Sequence, residues 1–204
     1  MPSELDAWLA LTTEEVIDPD LPICDPHHHF WDRPEPQNRY LLDELLEDTG
    51  GGHNIKETVF IECSSMYRAD GPELSRPIGE TEFVQGLAAM SASGGYGDTK
   101  VAAGIVSYAD LSSGEAVTAV LESHIAASSN RFRGVRNSSC WDEDPGIRSY
   151  KSPMKGLLAD PKFREGFSAL DKLGLTFDAW LYHPQLGELA DLARAFPGVP
   201  IILD

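Results

Sequence analysis

The stretch Leu21–Phe30, LPICDPHHHF, is a short run with Pro22 near its start, and it ends in three consecutive histidines followed by Phe30. A run of this length and composition predicts the first β-strand of the chain. Successive side chains of a strand point to opposite faces, so His27 and His29 should share one face and His28 should lie on the other. Two imidazoles that share a face can hold one metal ion between them, because neutral imidazole nitrogen is a ligand for zinc and other transition metals.

Beyond this run, short β-branched or aromatic runs alternate with longer segments whose apolar residues are spaced by three and four. The further predicted strands are Glu57–Cys63, Val101–Tyr108, Phe132–Arg136, Leu175–Tyr182 and Pro200–Asp204. The predicted helices are Gly79–Ser91, Ser113–Ala127, Leu157–Leu173 and Leu186–Phe196, and Trp31–Asn54 is predicted as a long loop with a short helix. Strands that alternate with such helices pair in parallel through right-handed crossovers, which predicts an α/β fold.

Two α/β architectures compete, the closed barrel and the open doubly wound sheet. The chain has neither of the glycine-rich phosphate-binding patterns that often follow the first strand of an open sheet. We therefore expect a TIM (β/α)8 barrel. Because 204 residues fall short of the roughly 250 that a complete barrel needs, we expect it to be truncated after about six strands. Residues 1–20 are interpreted as an acidic leader, and residues 21–204 as the incomplete barrel.

Composition narrows the range of partners. The formal net charge of −17 disfavours binding to nucleic acid or to anionic membrane surfaces, which depends on clustered Lys and Arg. The first twenty residues do not resemble a secretory signal, and the three cysteines are odd in number and widely spaced. We therefore expect a cytoplasmic protein with a small-molecule substrate. Whether it forms a homo-oligomer is left open.

In a TIM barrel the working groups gather at the carboxyl ends of the strands. The fifth predicted strand is followed by His183, which has the same parity as Phe177 and Ala179 and would end an inward-facing apolar row at the rim. His183 is therefore a candidate third metal ligand beside His27 and His29. The alternative for each of these residues is an ordinary structural histidine.

Polar residues also end two other predicted strands. Arg136 and Asn137 end the fourth strand, and Glu62 lies near the end of the second. A guanidinium group binds a carboxylate with two hydrogen bonds, so Arg136 is interpreted as a contact for an anionic substrate. Asn137 and Glu62 are candidate substrate-binding residues beside it. The alternative for Arg136 is an ion pair with one of the many acidic residues of this chain.

Several of these motifs together resemble the amidohydrolase-related family, and in particular its branch of sugar lactonases and dicarboxylate lactone hydrolases. The matching elements are Asp25-x-His27-x-His29-Phe30-Trp31, FRGVR over 132–136, LTFDAW over 175–180 with His183-Pro184, and IILD over 201–204. The resemblance implies a TIM barrel whose divalent metal, zinc by preference, is held by the histidines of the first strand. Histidines of later strands and an aspartate of the eighth strand would complete the site.

Carried over by position, the resemblance makes His27 and His29 metal ligands and His183 a metal ligand or catalytic imidazole. It makes Arg136 a catalytic-site contact for a substrate carboxylate. Two family features are missing: the family usually has a histidine directly after the position of Asp204, and its acid/base aspartate lies on a final strand. Some members of the lactonase branch also work without a tightly held metal.

The function expected from these residues is hydrolysis of a lactone or similar cyclic ester of an anionic small molecule by activated water. One alternative keeps the fold and makes the protein a metal-dependent non-oxidative decarboxylase. Another alternative is a truncated fragment without catalysis of its own.

Overall fold

The computed structural model describes residues 4–12, 14–34, 39–147, 151 and 154–204, and its main sheet has six parallel strands. These strands pair in chain order: β1 (Pro22–His28), β4 (Asn54–Ile61), β5 (Lys100–Ser107), β6 (Phe132–Arg136), β7 (Thr176–Ala179) and β8 (Ile201–Leu203). The strands β2 (Trp31–Asp32) and β3 (Arg39–Tyr40) form a separate antiparallel pair inside the segment predicted as a loop. All six main strands were predicted from the sequence, with shifts at their ends.

The helices are α1 (Glu4–Leu9), α2 (Leu42–Thr49), α3 (Ile78–Met90), α4 (Val117–Ala127), α5 (Pro161–Leu173) and α6 (Leu186–Ala195). Helices α3 to α6 lie in the predicted helical segments, but α4 and α5 begin four residues later than predicted, after the 3-10 turns Leu111–Ala116 and Leu157–Ala159. Helix α2 is the short helix expected in the loop after the first strand. Helix α1 lies within the predicted leader, where the sequence pattern gave no indication of a helix. Among the described residues, no helix reaches the length and apolarity that crossing a bilayer requires.

Helix α5 shows how local sequence sets the ends of these elements. The Asp160 side chain accepts hydrogen bonds from the backbone N–H groups of Lys162 and Phe163, and Pro161 occupies the first turn. Both features favour a helix start at this point. At the other end Gly174 has a φ of 67°, a left-handed conformation that glycine adopts without strain. The chain therefore leaves α5 in position to enter β7.

The sheet curls, so its two outer strands approach each other at their carboxyl ends. β1 and β8 lie at opposite edges of the strand order, yet His27 Nδ1 is 3.1 Å from Asp204 Oδ1. A flat sheet would keep these side chains far apart, because neighbouring strands are about 4.8 Å apart. The strands thus form a curled half-barrel with helices, which confirms the predicted fold class.

The structure corrects the sequence prediction for β7. This strand ends at Ala179, so His183 does not continue its alternation and instead begins a 3-10 turn, His183–Gln185. The predicted direction of the strand faces was also wrong. The Phe177 ring packs against the rings of Phe163 and Phe167 of α5, so the apolar face lies against the helices. The opposite face of β7, which carries Asp178, therefore faces the inside of the half-barrel.

A glycine allows close contact between two of these strands. A Cβ atom placed on Gly134 of β6 would lie 2.1 Å from Thr176 Oγ1 and 2.4 Å from the Thr176 carbonyl oxygen of β7. No side chain fits at such distances, so only glycine permits this approach. Two residues further along, β6 ends in Arg136, which it delivers to the mouth of the half-barrel.

Candidate active site

His27 and His29 converge at the carboxyl end of β1, as the alternation of side chains predicts. Their Nε2 atoms are 3.3 Å apart, and their rings stand edge to face with centroids 4.9 Å apart. His28 lies on the other face, where its buried Nε2 is 2.9 Å from Thr58 Oγ1. The structure therefore brings together the two predicted ligands of the first strand and directs the third histidine of the run away from them.

The second nitrogen of each converging ring has a fixed partner. His29 Nδ1 lies 2.8 Å from the Ile61 carbonyl oxygen, and His27 Nδ1 lies 3.1 Å from Asp204 Oδ1. Both partners are acceptors, so each Nδ1 carries the hydrogen and donates it. Burial lowers the pKa of His29, which favours its neutral form. The two Nε2 lone pairs then face each other, and this arrangement favours a proton or a metal ion between them.

The distance between the two nitrogens fits a zinc ion. Zinc is bound by imidazole at about 2.0–2.1 Å in tetrahedral geometry, which separates two ligand nitrogens by about 3.3 Å. This separation equals the observed one. The hydrogen bonds at the two Nδ1 atoms are also the usual outer partners of metal-binding histidines. The paired rings of His27 and His29 therefore fit two of the ligands of such a site.

A third ligand is not assembled with them. Within the described ranges, no group of three or more His, Cys, Asp or Glu side chains is arranged to hold a metal ion. His183 is exposed on its 3-10 turn and is not grouped with His27 and His29. Its role as a ligand or catalytic imidazole stays a prediction.

Arg136 joins two carboxylates at the centre of the site. Its side chain is buried, with 5% exposed. Nε donates to Glu62 Oε1 at 3.1 Å, Nη2 donates to the Glu62 carbonyl oxygen at 2.7 Å, and Nη1 donates to Asp204 Oδ2 at 2.7 Å. The guanidinium carbon lies 4.7 Å from the centre of the Trp180 ring. Arg136 thus positions Asp204, which in turn holds the Nδ1–H of His27.

Glu62 and Lys151 extend this arrangement. Glu62 is fully buried, and Lys151 Nζ lies 2.9 Å from Glu62 Oε2 and 3.5 Å from the centre of the Tyr108 ring. We call Glu62, Arg136, Lys151 and Asp204 the ionic cluster. Its two positive and two negative side chains balance, so the charge of Arg136 is already matched by carboxylates of the protein.

The three predicted substrate-binding residues lie at or beside the site, and each of them forms hydrogen bonds within the protein. Arg136 and Glu62 are partners in the ionic cluster. Asn137 is buried, and its Oδ1 accepts a hydrogen bond from the Leu111 backbone N–H at 3.2 Å, which ties the loop after β6 to the loop after β5. Direct contact of these three residues with a substrate stays a prediction. The contacts that the structure shows are those they make with other residues of the protein.

Asp178 of β7 is a site residue that the sequence reasoning missed. It is 6% exposed, and its Oδ1 has no hydrogen-bond partner among the described residues. Burial and the nearby Asp204 carboxylate raise the pKa of Asp178 to about 6, against the opposing effect of Arg136. One signal was visible in the sequence: a carboxylate stands inside the apolar run LTFDAW.

Asp204 was predicted as a polar strand end but was not assigned to the site, and Lys151 was missed. Asp204 stands at the end of the last predicted strand, but spacing does not reveal that it reaches a histidine of the first strand. Lys151 belongs to the loop after β6, where no periodic pattern gives its position.

Comparison with known proteins identifies the family of the chain. A family model described as Amidohydrolase matches residues 24–204, which include every residue of the site. The chain belongs to the amidohydrolase family. Among curated proteins, this amidohydrolase is 32% identical over 197 residues to the uncharacterized protein y4mH of Sinorhizobium fredii. That match covers 91% of the chain and 62% of the relative.

Solved structures resemble this amidohydrolase in fold. Two crystal structures of an amidohydrolase from Burkholderia multivorans, one with bound HEPES and one with bound zinc, each give a TM-score of 0.60 at 18% sequence identity. They match 89% and 87% of this chain, which covers 56% and 55% of theirs. The amidohydrolase chain thus spans little more than half the length of these proteins and 62% of its curated relative. At this identity the likeness establishes the fold alone.

Proposed function

We propose that the protein is a hydrolase that opens a lactone or similar cyclic ester of an anionic small molecule with an activated water. The observation that carries the proposal is the pair of Nε2 atoms of His27 and His29, held 3.3 Å apart at the carboxyl edge of the sheet. Membership in the amidohydrolase family supports hydrolysis as the reaction type. The lactone is proposed because the sequence motifs at the strand ends resemble those of the family's lactonase branch.

His27 is suited to take the proton of the attacking water. Its Nδ1–H is held by Asp204, so Nε2 is the nitrogen that presents a lone pair, and the Asp204 carboxylate stabilises the imidazolium that forms. The water oxygen then bonds to the ester carbonyl carbon. When the ring C–O bond breaks, His27 Nε2–H returns the proton to the departing oxygen, so the product is a hydroxy acid.

His29 orients the same water from the other side. Its Nδ1–H is held by the Ile61 carbonyl oxygen, which fixes the ring and directs its Nε2 toward that of His27. Arg136 acts through Asp204 and keeps this carboxylate aligned with His27. The residues of the ionic cluster therefore determine the orientation of the base, while the two imidazoles contact the reacting water.

The proposal has an alternative form, in which the Nε2 atoms of His27 and His29 would hold a divalent metal ion instead of accepting the proton of the water, with His183 as the proposed third ligand. When bound, such an ion supplies Lewis acidity that makes water a stronger nucleophile at neutral pH. Zinc is the first ion to test, because the nitrogen separation fits it and the Burkholderia multivorans amidohydrolase has a zinc-bound structure.

The test is an assay of ring opening on a panel of anionic and neutral lactones, with added zinc and with a chelator. His27→Ala should lower kcat by about 100-fold or more, the usual contribution of a general base. His53→Ala, which changes an exposed histidine before β4, is the matched control and should keep the activity. Zinc affinity, measured by competition with a chromophoric chelator, should fall in His27→Ala and not in His53→Ala.

Absence of turnover for every lactone, with and without zinc, would refute the proposal. Release of carbon dioxide without ring opening would instead favour decarboxylation.

A further inference from the structure

Two consecutive residues at the end of β4 support the two imidazoles of the candidate active site. The Ile61 carbonyl oxygen accepts the Nδ1–H of His29 at 2.8 Å. Glu62 belongs to the ionic cluster, which orients His27. The position at which β4 ends therefore affects both rings at once.

The chain turns sharply directly after these two residues. Cys63 Sγ donates to the Phe30 carbonyl oxygen at 3.2 Å, which ties the start of the turn to the segment after β1. Ser64 and Met66 have φ values of 62° and 53°, in the left-handed region that side chains other than glycine rarely adopt. Backbone of this kind persists only where the surrounding structure maintains it.

Glu80 in the first turn of α3 maintains this conformation. Its side chain is fully buried, and its Oε1 accepts hydrogen bonds from the backbone N–H groups of Cys63 and Ser65 at 3.1 and 2.7 Å. Hydrogen bonds to a carboxylate are stronger than those between neutral groups. Glu80 thus joins the N–H groups on either side of the left-handed residue Ser64.

The helix that carries Glu80 lies in backbone contact with the turn. A Cβ atom placed on Gly79 would lie 2.6 Å from the Met66 carbonyl oxygen and 2.8 Å from the Arg68 backbone nitrogen. A side chain at this position would push the start of α3 away from the turn. The close approach that glycine allows places the Glu80 carboxyl group within reach of both N–H groups.

Burial of the Glu80 carboxyl group opposes stability. Its Oε2 is buried and has no hydrogen-bond partner among the described residues. Burial raises the pKa of Glu80 to about 7, and the Glu62 carboxylate acts in the same direction, against the hydrogen bonds from Ser65 and Cys63 and the charge of Lys151. An apolar side chain would fill the same space without this desolvation cost.

We propose that Glu80 is a positioning residue for the candidate active site. It holds the turn over 63–65 and so determines where β4 ends, which aligns the Ile61 carbonyl oxygen with His29 and the Glu62 carboxylate with Arg136. Glu80 acts through the backbone of this turn and not by contact with an imidazole. The inference rests on the proposed function only for the reaction that the imidazoles perform.

Three variants of Glu80 separate geometry from charge. Glu80→Gln keeps an oxygen that can accept both hydrogen bonds, Glu80→Asp keeps the charge but is one methylene too short, and Glu80→Leu removes every acceptor. Val84→Ala is the matched control, because it removes buried methyl groups from the same helix and no hydrogen bond. Thermal melts define a temperature at which all the compared variants are folded. If Glu80→Leu does not fold, the comparison of Glu80→Gln with Glu80→Asp decides.

The first readout is ¹⁵N NMR of labelled histidine rings, recorded with a chelator at about pH 8, where imidazole is neutral. The ¹⁵N shift distinguishes a ring nitrogen that carries hydrogen from one that does not, and the partner of Nδ1 determines which form is present. The fraction of His29 with its hydrogen on Nδ1 should fall in Glu80→Asp and Glu80→Leu. It should stay unchanged in Glu80→Gln and Val84→Ala.

The second readout is the kinetics of a lactone that the original protein opens. Glu80→Asp and Glu80→Leu should lower kcat about 10-fold and change KM less than about threefold, because a small misplacement of the imidazoles affects the reacting atoms more than binding. Glu80→Gln and Val84→Ala should keep both constants near the original values.

The two readouts separate this inference from the proposed function. If the His29 signals change as expected and no lactone is opened, only the proposed hydrolysis fails. If Glu80→Asp lowers the melting temperature but leaves the His29 signals and kcat unchanged, Glu80 has a structural role alone and the inference is refuted. It is equally refuted if Glu80→Gln disturbs the His29 signals as much as Glu80→Asp does.

Discussion

Replacing Arg136 with methionine removes the guanidinium that joins the two carboxylates of the ionic cluster. Methionine keeps an unbranched side chain of similar length, so the change mainly removes charge and hydrogen bonds. Arg136 donates to Glu62 Oε1, to the Glu62 carbonyl oxygen and to Asp204 Oδ2. In Arg136→Met these acceptors lose their partner, and the Glu62 carboxylate remains fully buried.

The expected loss of stability follows from the burial of these groups. Removing one partner of a buried ion pair costs about 3–5 kcal/mol. Two contacts reduce the loss here: Lys151 Nζ remains 2.9 Å from Glu62 Oε2, and Asp204 is 18% exposed and keeps His27. We therefore expect a loss near the lower limit, about 3 kcal/mol, which corresponds to a fall in Tm of about 6–12 °C for a chain of this size.

Urea unfolding followed by circular dichroism measures this loss. Arg133→Met on the same strand is the matched control, because within the described part of the chain the exposed Arg133 donates to the backbone carbonyl oxygens of Phe132 and Asn130 and forms no ion pair. We expect that control to lose less than about 1 kcal/mol. Adding Glu62→Gln to Arg136→Met should restore part of the stability, since it removes the unpaired buried charge.

The reasoning would be refuted if Arg136→Met lost no more stability than Arg133→Met. It would also be refuted if the second substitution, Glu62→Gln, lowered the stability further instead of restoring it.

Two other predictions concern β6 and β7. Gly134→Ala should destabilise the fold by about 1–3 kcal/mol, because its Cβ would collide with the Thr176 backbone. Gly104→Ala is the control, because its added Cβ would have its nearest neighbour 3.4 Å away. In a urea titration its free energy of unfolding should stay within about 1 kcal/mol of that of the original protein. Equal losses of stability in the two variants would contradict this explanation. Asp178 has a folded-state pKa of about 6 against 3.8 for the free side chain, so its ionisation makes stability fall as pH rises from about 4 to 6. Asp178→Asn should therefore be more stable relative to the original protein at pH 7 than at pH 4, by about 1–2 kcal/mol, and thermal melts that show a constant difference would refute this.

The secondary structure could be predicted well where the determining interactions are local. Strand β6 occupies Phe132–Arg136, as predicted from the short segment with Phe132 and Val135 that follows the predicted helix Ser113–Ala127. Helix α5 was found because its apolar spacing and its C-terminal Gly174 are signals that lie within the helix and its cap. The two-residue strands β2 and β3 were missed, since elements of that length show no periodicity.

The faces of β7 show a limit of the period-two pattern. Alternation groups Phe177 with Ala179 and Asp178 with Trp180, but it does not say which group faces the helices. Both faces of a parallel strand are covered, so burial alone does not distinguish them either. Packing of Phe177 against α5 decides the matter, and this contact depends on tertiary structure.

The candidate site was predictable only in part for the same reason. The convergence of His27 and His29 follows from two residues on one strand, and it was confirmed. Their outer partners are the Ile61 carbonyl oxygen and the Asp204 carboxylate. Every residue has a backbone carbonyl group, so a sequence gives no sign that the one of Ile61 binds His29. Asp204 follows the strand at the opposite edge of the sheet, so its contact with His27 depends on the curvature of the sheet. The buried pairing of Arg136 with Glu62 was likewise invisible before the strands were placed.

The contact between His27 and Asp204 has a consequence for the order of folding. It joins the outermost strands of the sheet, with four strands between them. Contacts between residues far apart along the chain form late, because their loop-closure entropy is offset only when the intervening structure exists. Early species with native-like helices would therefore still lack an oriented His27 ring. The orientation of the proposed base is therefore acquired late in folding, as a property of the curvature of the sheet.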